Sequence, residues 1–205
     1  MPKPEPEVTT KALLLGVELH FMQQFSGIKM IITEINVIFA QYNPAIALFI
    51  PLISNIVQLV AAFFSSAIVS RFGRKNITVF GNISLSIILV IIAVLFVISD
   101  RTKDINLIYA AVALIILFMV GYTTTIGPVV WLYVPEMIPH HYVPVASIFN
   151  WLASSTCVIV TPYVLLACGS PYPVFFFFGA ILFVFFLINI TQLVETKGLT
   201  PHEVA

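Results

Sequence analysis

Gln23, Gln24 and Lys29 fall within seven residues, QQFSGIK, in a stretch otherwise built from Leu, Met, Ile and Phe. Two primary amides supply donors and acceptors together, the chemistry that recognises hydroxyl groups without imposing a charge. An ammonium costs about 3 kcal/mol at the centre of a membrane helix, so Lys29 is expected to face water, a partner or a substrate. Glu18 lies about 16 Å away along a helix axis, beyond ion-pairing reach. Glu34 comes within reach only if the chain unwinds after Gly27. A Lys29–Glu34 pair or a snorkelling lysine stands as the alternative to a cavity role. Asn150 and Gln58 add further amides, and Trp131 and Trp151 add flat apolar faces. Amides with indoles suit a small neutral polyol such as a sugar. The competing reading is amide glue between helices and tryptophan anchoring at the membrane interface.

The surrounding composition sets the class. The 205 residues are 60% hydrophobic and 9% charged, with no formal net charge and a mean hydropathy of +1.07. A soluble domain carries about a quarter charged residues. An integral membrane protein follows, and nothing suggests nucleic-acid binding. Cys157 and Cys168 have no CxxC spacing and read as small buried or lipid-facing residues. His140 and His141 lack ligand-spaced companions and read as solvated loop residues, so no metal is expected. No nucleophile elbow, phosphate loop or paired-carboxylate site occurs. An enzyme is excluded on these grounds, and no cofactor is expected.

Six segments have the roughly 20 apolar residues that span a bilayer: 12–40, 44–69, 77–98, 107–134, 144–167 and 173–194. Residues 1–11 form a polar, proline-rich lead-in without the apolar core of a signal peptide, and 195–205 form a tail. Lys3, Lys11, Arg71, Arg74, Lys75 and Lys197 fall on one side. Arg101 and Lys103 fall on the other, offset by Asp100 and Asp104. The basic side is expected to be cytoplasmic, with both termini inside. The spans divide into two triples, and the first helix of each is interrupted. Gly27 loosens span one, while Gly127 and Pro128 break span four. Interrupted helices in corresponding positions of two repeats point to a transporter binding site.

Five motifs, QQFSGI, RFGRK, GPVVWLYVPE, FNW and VETKG, occur in the order and spacing of the sugar porters of the major facilitator superfamily. The chain resembles the C-terminal six-helix half of that fold over nearly its whole length. The resemblance implies two inverted three-helix repeats and alternating access around a midplane site. It assigns Gln23, Gln24 and Asn150 to sugar hydroxyls, with Trp131 near the inner end of the cavity and Trp151 packed beside the asparagine. It also assigns Arg71, Arg74, Glu136 and Glu195 to inner-gate ion pairs.

The sequence departs from the family at the site itself. Lys29 stands where an asparagine is usual, Gln58 where the next helix offers an asparagine, His20 for a glutamine, and Thr123 where some glucose carriers have a glutamate. Ser70 and Val143 replace charges of the gate network. A hexose is the expected substrate, with an anionic sugar derivative or organic acid as the alternative if Lys29 is unpaired. Proton coupling through Glu18, Glu34 or His20 stays open. The substrate path of the family needs a second six-helix half. The chain is therefore expected to be part of a longer carrier, since MPKPEPEVTTKALL resembles the end of the central cytoplasmic loop. Pairing in trans, or a non-transporting protein that binds sugar or regulates a full-length relative, are the alternatives. The plasma membrane is the family's usual location.

Overall fold

The structure, a computed structural model, describes residues 10–40 and 42–198. Among these the chain is all-helical: α1 (Thr10–Gln24), α2 (Ile28–Ala40), α3 (Pro44–Phe72), α4 (Arg74–Thr102), α5 (Ile105–Thr124), α6 (Ile126–Met137), α7 (Val143–Cys168) and α8 (Tyr172–Gln192). Five stretches are long and apolar enough to cross a membrane: Ala47–Phe72, Arg74–Thr102, Ile105–Met137, Val143–Cys168 and Tyr172–Gln192. The region in which one first span was expected is divided between α1 and α2, of 15 and 13 residues. Each is shorter than the roughly 20 residues a crossing needs.

Both interruptions have local causes. Gly27 has φ +88, a left-handed conformation that disfavours any side chain. A Cβ there would also lie 3.1 Å from the Cβ of Phe178. Ser26 bridges the gap, its hydroxyl donating to the Gln23 carbonyl and accepting from the Ile28 N–H. In the second interruption the turn falls at Thr125, two residues ahead of the expected Gly127 and three ahead of Pro128. Pro128 lacks the N–H that the Thr124 carbonyl would need, and its ring crowds that carbonyl. The chain therefore turns before the proline, which then sits in the first turn of α6, where a missing N–H costs nothing.

The core fills from aromatic rings and branched aliphatics. Phe96 of α4 stacks on Phe175 of α8 and packs against Phe39 of α2. The Ser86 hydroxyl of α4 donates to the Gly179 carbonyl of α8 at 2.7 Å. At the C-terminal end of α4, Asp100 ties three segments together. Its carboxylate accepts from Tyr42 in the α2–α3 corner at 3.2 Å and from Ser170 in the α7–α8 turn at 2.7 Å.

Burial, and then the neighbouring Asp100 charge, push the Tyr42 hydroxyl up to about 12 from an ordinary value of 10.0. A folded-state value raised in this way contributes stability that is complete below pH 10 and lost as the pH passes 12. The corner should thus stay closed to about pH 10 and loosen between pH 10 and 12. Tyrosinate absorbance, compared between the native chain and Tyr42→Phe, measures this. A Tyr42 that titrates at the ordinary value would disprove the contact.

Candidate functional site

The end of α1 meets the start of α6 and the middle of α7, so side chains from both interrupted regions reach one another. Gln23 donates to the Gly127 carbonyl at 2.7 Å, across the second interruption. Asn150 of α7 is the hub. Its Oδ1 accepts from Gln24 Nε2 at 2.8 Å, and its Nδ2 donates to Gln23 Oε1 at 2.7 Å. Nδ2 also lies 3.1 Å from His20 Nδ1 and 3.3 Å from the His20 carbonyl. His20 is fully buried, Asn150 is 1% exposed, and both glutamines are buried. The three amides are tied to one another rather than standing free for a ligand.

Hydrogen bookkeeping shows what this network has left over. Because Asn150 Nδ2 is a donor, His20 Nδ1 must accept, and a neutral imidazole then carries its hydrogen on Nε2. His20 Nε2 and Gln24 Oε1 are both buried and without a partner among the described residues. His20 Nε2 is thus a donor and Gln24 Oε1 an acceptor left over among these residues, and each glutamine nitrogen keeps a second N–H beyond its one bond. Hydroxyl groups, which donate and accept at once, suit such a mixed set.

The other expected site residues lie at varying remove from this hub. Trp131 is 44% exposed and meets His20 edge-on, ring centroids 5.1 Å apart. Trp151 is 64% exposed; successive helical residues are about 100° apart, so a buried Asn150 turns its neighbour outward. Gln58 of α3 contacts the Thr123 hydroxyl of α5 at 3.4 Å. Lys29 is half-buried in the first turn of α2. Among the described residues no ion pair joins it to Glu34, because α2 is a regular helix after Gly27 and five residues turn Glu34 to another face. Glu34 instead lines a cleft of about 300 Å³ with Pro162 and Leu165 of α7.

The expected gate charges collect at the opposite end of the bundle from Asp100, in an arrangement that is only partly ionic. Arg74 grips Glu136 with two nitrogens, Nη2 at 2.8 Å and Nε at 3.1 Å, and Thr196 donates to the same carboxylate. Glu195 forms no ion pair with either arginine among the described residues. It caps α4, accepting the backbone N–H groups of Arg74 at 2.8 Å and Lys75 at 3.2 Å. A carboxylate at a helix N-terminus meets unpaired donors and the positive end of the dipole. Arg71 is exposed; its guanidinium lies over the Phe72 ring and its carbonyl accepts from Lys197 Nζ. Tyr133 completes the knot by donating to the Val194 carbonyl.

An apolar helical bundle with five stretches of membrane-crossing length among the described residues defines an integral multi-pass membrane protein. The family model "Sugar (and other) transporter" matches residues 5–205, so the chain belongs to that family, whose members are transporters and not enzymes. It is 28% identical over 201 residues to the facilitated trehalose transporter Tret1 of Anopheles gambiae, covering 95% of this chain and 25% of that protein. It is 30% identical over 199 residues to hexose transporter 1 of Plasmodium vivax, covering 91% of this chain and 37% of that one.

Solved structures give the same fold. The major facilitator proton:xylose symporter XylE bound to 6-bromo-6-deoxy-D-glucose superposes with a TM-score of 0.80 at 22% identity, over 94% of this chain and 42% of that one. The inward-open xylose transporter XylE from E. coli gives 0.76 at 20% identity, over 98% and 42%. The chain thus spans less than half the length of the relatives it matches.

Proposed function

We propose that this chain is the C-terminal six-helix half of a sugar carrier, built as two inverted three-helix repeats, that moves a hexose by alternating access. In this reading α1 and α2 together make the first span, α5 and α6 make the fourth, and the charged knot lies at the cytoplasmic face with both termini. The observation that carries it is the buried hub of Gln23, Gln24, Asn150 and His20, which joins both helix interruptions and leaves His20 Nε2 and Gln24 Oε1 without partners among the described residues. A second six-helix half, in the same polypeptide or in trans, closes the substrate path. The plasma membrane is the location we favour. Arg74–Glu136 and the Glu195 cap would hold the inner gate while the halves rock around the site.

A second reading is supported by Lys29, half-buried and without a carboxylate partner among the described residues. An unpaired ammonium beside the site favours an anionic sugar derivative over a neutral one. Binding to the purified chain, followed by the fluorescence of Trp131 with Trp131→Phe as control, separates the two. The hexose reading expects D-glucose to quench and Lys29→Asn to leave its affinity unchanged. If D-glucuronate binds at least tenfold more tightly than D-glucose and Lys29→Asn abolishes that preference, the substrate is anionic. Absence of binding by either sugar would sink the carrier reading for this chain on its own.

A further inference from the structure

Glu18 takes no part in the hub, although it lies on the same helix two residues before His20. Its position is unusual for a carboxylate. Both carboxyl oxygens are buried and form no hydrogen bond among the described residues. The stem of the side chain forms part of a groove of about 550 Å³ between α1 and α8, lined by Leu14, Val17, Phe21, Ile181, Val184 and Phe185. Every one of these walls is apolar, and α8 is one of the membrane-spanning stretches.

The polar side chain next to Glu18 is Asn189 of α8. Asn189 is completely buried, its Nδ2 rests against the Met22 sulfur at 3.2 Å, and its Oδ1 has no partner. Thioether sulfur is a weak acceptor, so this amide is nearly idle. Among the described residues no charge neutralises the acid. On α1 itself the titratable groups are Lys11, exposed near the helix start, and His20, committed to Asn150. Among the elements packed against α1, α8 offers only Tyr172 at its far end. On α6, Tyr133 and Glu136 belong to the charged knot. On α7 the titratable groups are Cys157, Tyr163 and Cys168. None of these acts on Glu18, whose surroundings are set by burial and Asn189.

We propose that Glu18 is a proton-binding site at the floor of this apolar groove, and that its neutral acid pairs with Asn189 to fasten α1 to α8. A carboxylic acid and a primary amide are complementary: the acid O–H donates to the amide oxygen and the amide N–H to the acid carbonyl. The pair satisfies both groups without placing an unpaired charge in hydrocarbon, where a single charge is costly. Since α1 carries Glu18 on one face and His20, Gln23 and Gln24 on another, the proton is held by the same rigid segment that holds the hub.

The test uses the full chain in lipid nanodiscs with N,N'-dicyclohexylcarbodiimide, an apolar reagent that consumes protonated carboxyls. The acid proton passes to a carbodiimide nitrogen as the carboxyl oxygen adds to the central carbon. An oxygen-to-nitrogen acyl shift then leaves a stable N-acylurea; no group departs and nothing is oxidised. At pH 7.5 the adduct should appear on the Glu18 peptide by mass spectrometry and be absent in Glu18→Gln. A water-soluble carbodiimide should label Glu18 at least tenfold less. Asn189→Leu should raise the labelling rate several-fold, because it frees the acid. An infrared carboxylic-acid band that disappears in Glu18→Gln would give the same answer without a reagent. A folded chain that shows neither adduct nor band at this pH overturns the proton site, and unchanged labelling in Asn189→Leu overturns the pairing.

Discussion

Asn150→Leu should lower the thermal unfolding midpoint more than any other single substitution in the amide hub. It removes the bonds from Gln24 Nε2, to Gln23 Oε1 and to His20 Nδ1 in one step. Hydrogen bonds between membrane helices are worth about 0.6–1.7 kcal/mol each, so the loss sums to roughly 2–5 kcal/mol. Leucine fills nearly the same volume, which makes the effect one of unmet polarity rather than of a cavity. Asn150→Asp separates the bonds further. It keeps an acceptor for Gln24 but confronts Gln23 Oε1 with a second acceptor. Gln23 has no easy escape, because its amide nitrogen is committed to Gly127. Sugar affinity should fall with stability in the leucine variant. A midpoint as high as the native one would mean that the four side chains are independent.

Gly73→Ala should have the second-largest effect, at the other end of α4. Gly73 has φ +86 and precedes the first residue of the helix. A side chain there costs about 1–3 kcal/mol, because positive φ with ψ 166 is a region essentially reserved for glycine. The added Cβ would also lie 2.7 Å from the Glu195 carboxyl carbon, so the carboxylate must leave its cap. Losing a favourably placed charge at a helix N-terminus costs up to about 2 kcal/mol. The combined loss is roughly 1–5 kcal/mol, and it should appear as faster amide exchange at Arg74 and Lys75. Glu195→Gln keeps an acceptor without the charge and should cost less. The Arg74–Glu136 pair draws on different atoms and should persist in both variants. Slow exchange at Arg74 in Gly73→Ala would show that the cap is dispensable.

Apolar length made the five long helices legible, because nothing but a membrane helix keeps some 20 residues free of charge. The two interruptions were legible as composition, since Gly27 and the Gly127–Pro128 pair have conformational demands of their own. The exact turn at Thr125 was not, because proline acts on the carbonyl four residues behind it. The amide hub was legible as a set of residue types, but its closure was not. Whether Gln24 faces a ligand or Asn150 depends on how α1 settles against α7, 126 residues away. Glu195 was expected to pair with an arginine side chain, whereas the stronger claim on it comes from backbone N–H groups that sequence patterns do not display. Asp100 read as an offset to Arg101 and Lys103, yet it anchors Tyr42 and Ser170. The resemblance implied that Trp151 packs beside Asn150, whereas its side chain is largely exposed.

The Glu195 cap also sets an order of events in synthesis. The N–H groups it satisfies, on Arg74 and Lys75, are made 121 and 120 residues before it. At about 5–20 residues per second, that end of α4 waits roughly 6 to 24 seconds for its partner. All eight described helices are made before the segment 193–197 can close Tyr133, Glu136 and α4 into one knot. A chain that stops after α8 would therefore keep every described helix and leave this end unfastened.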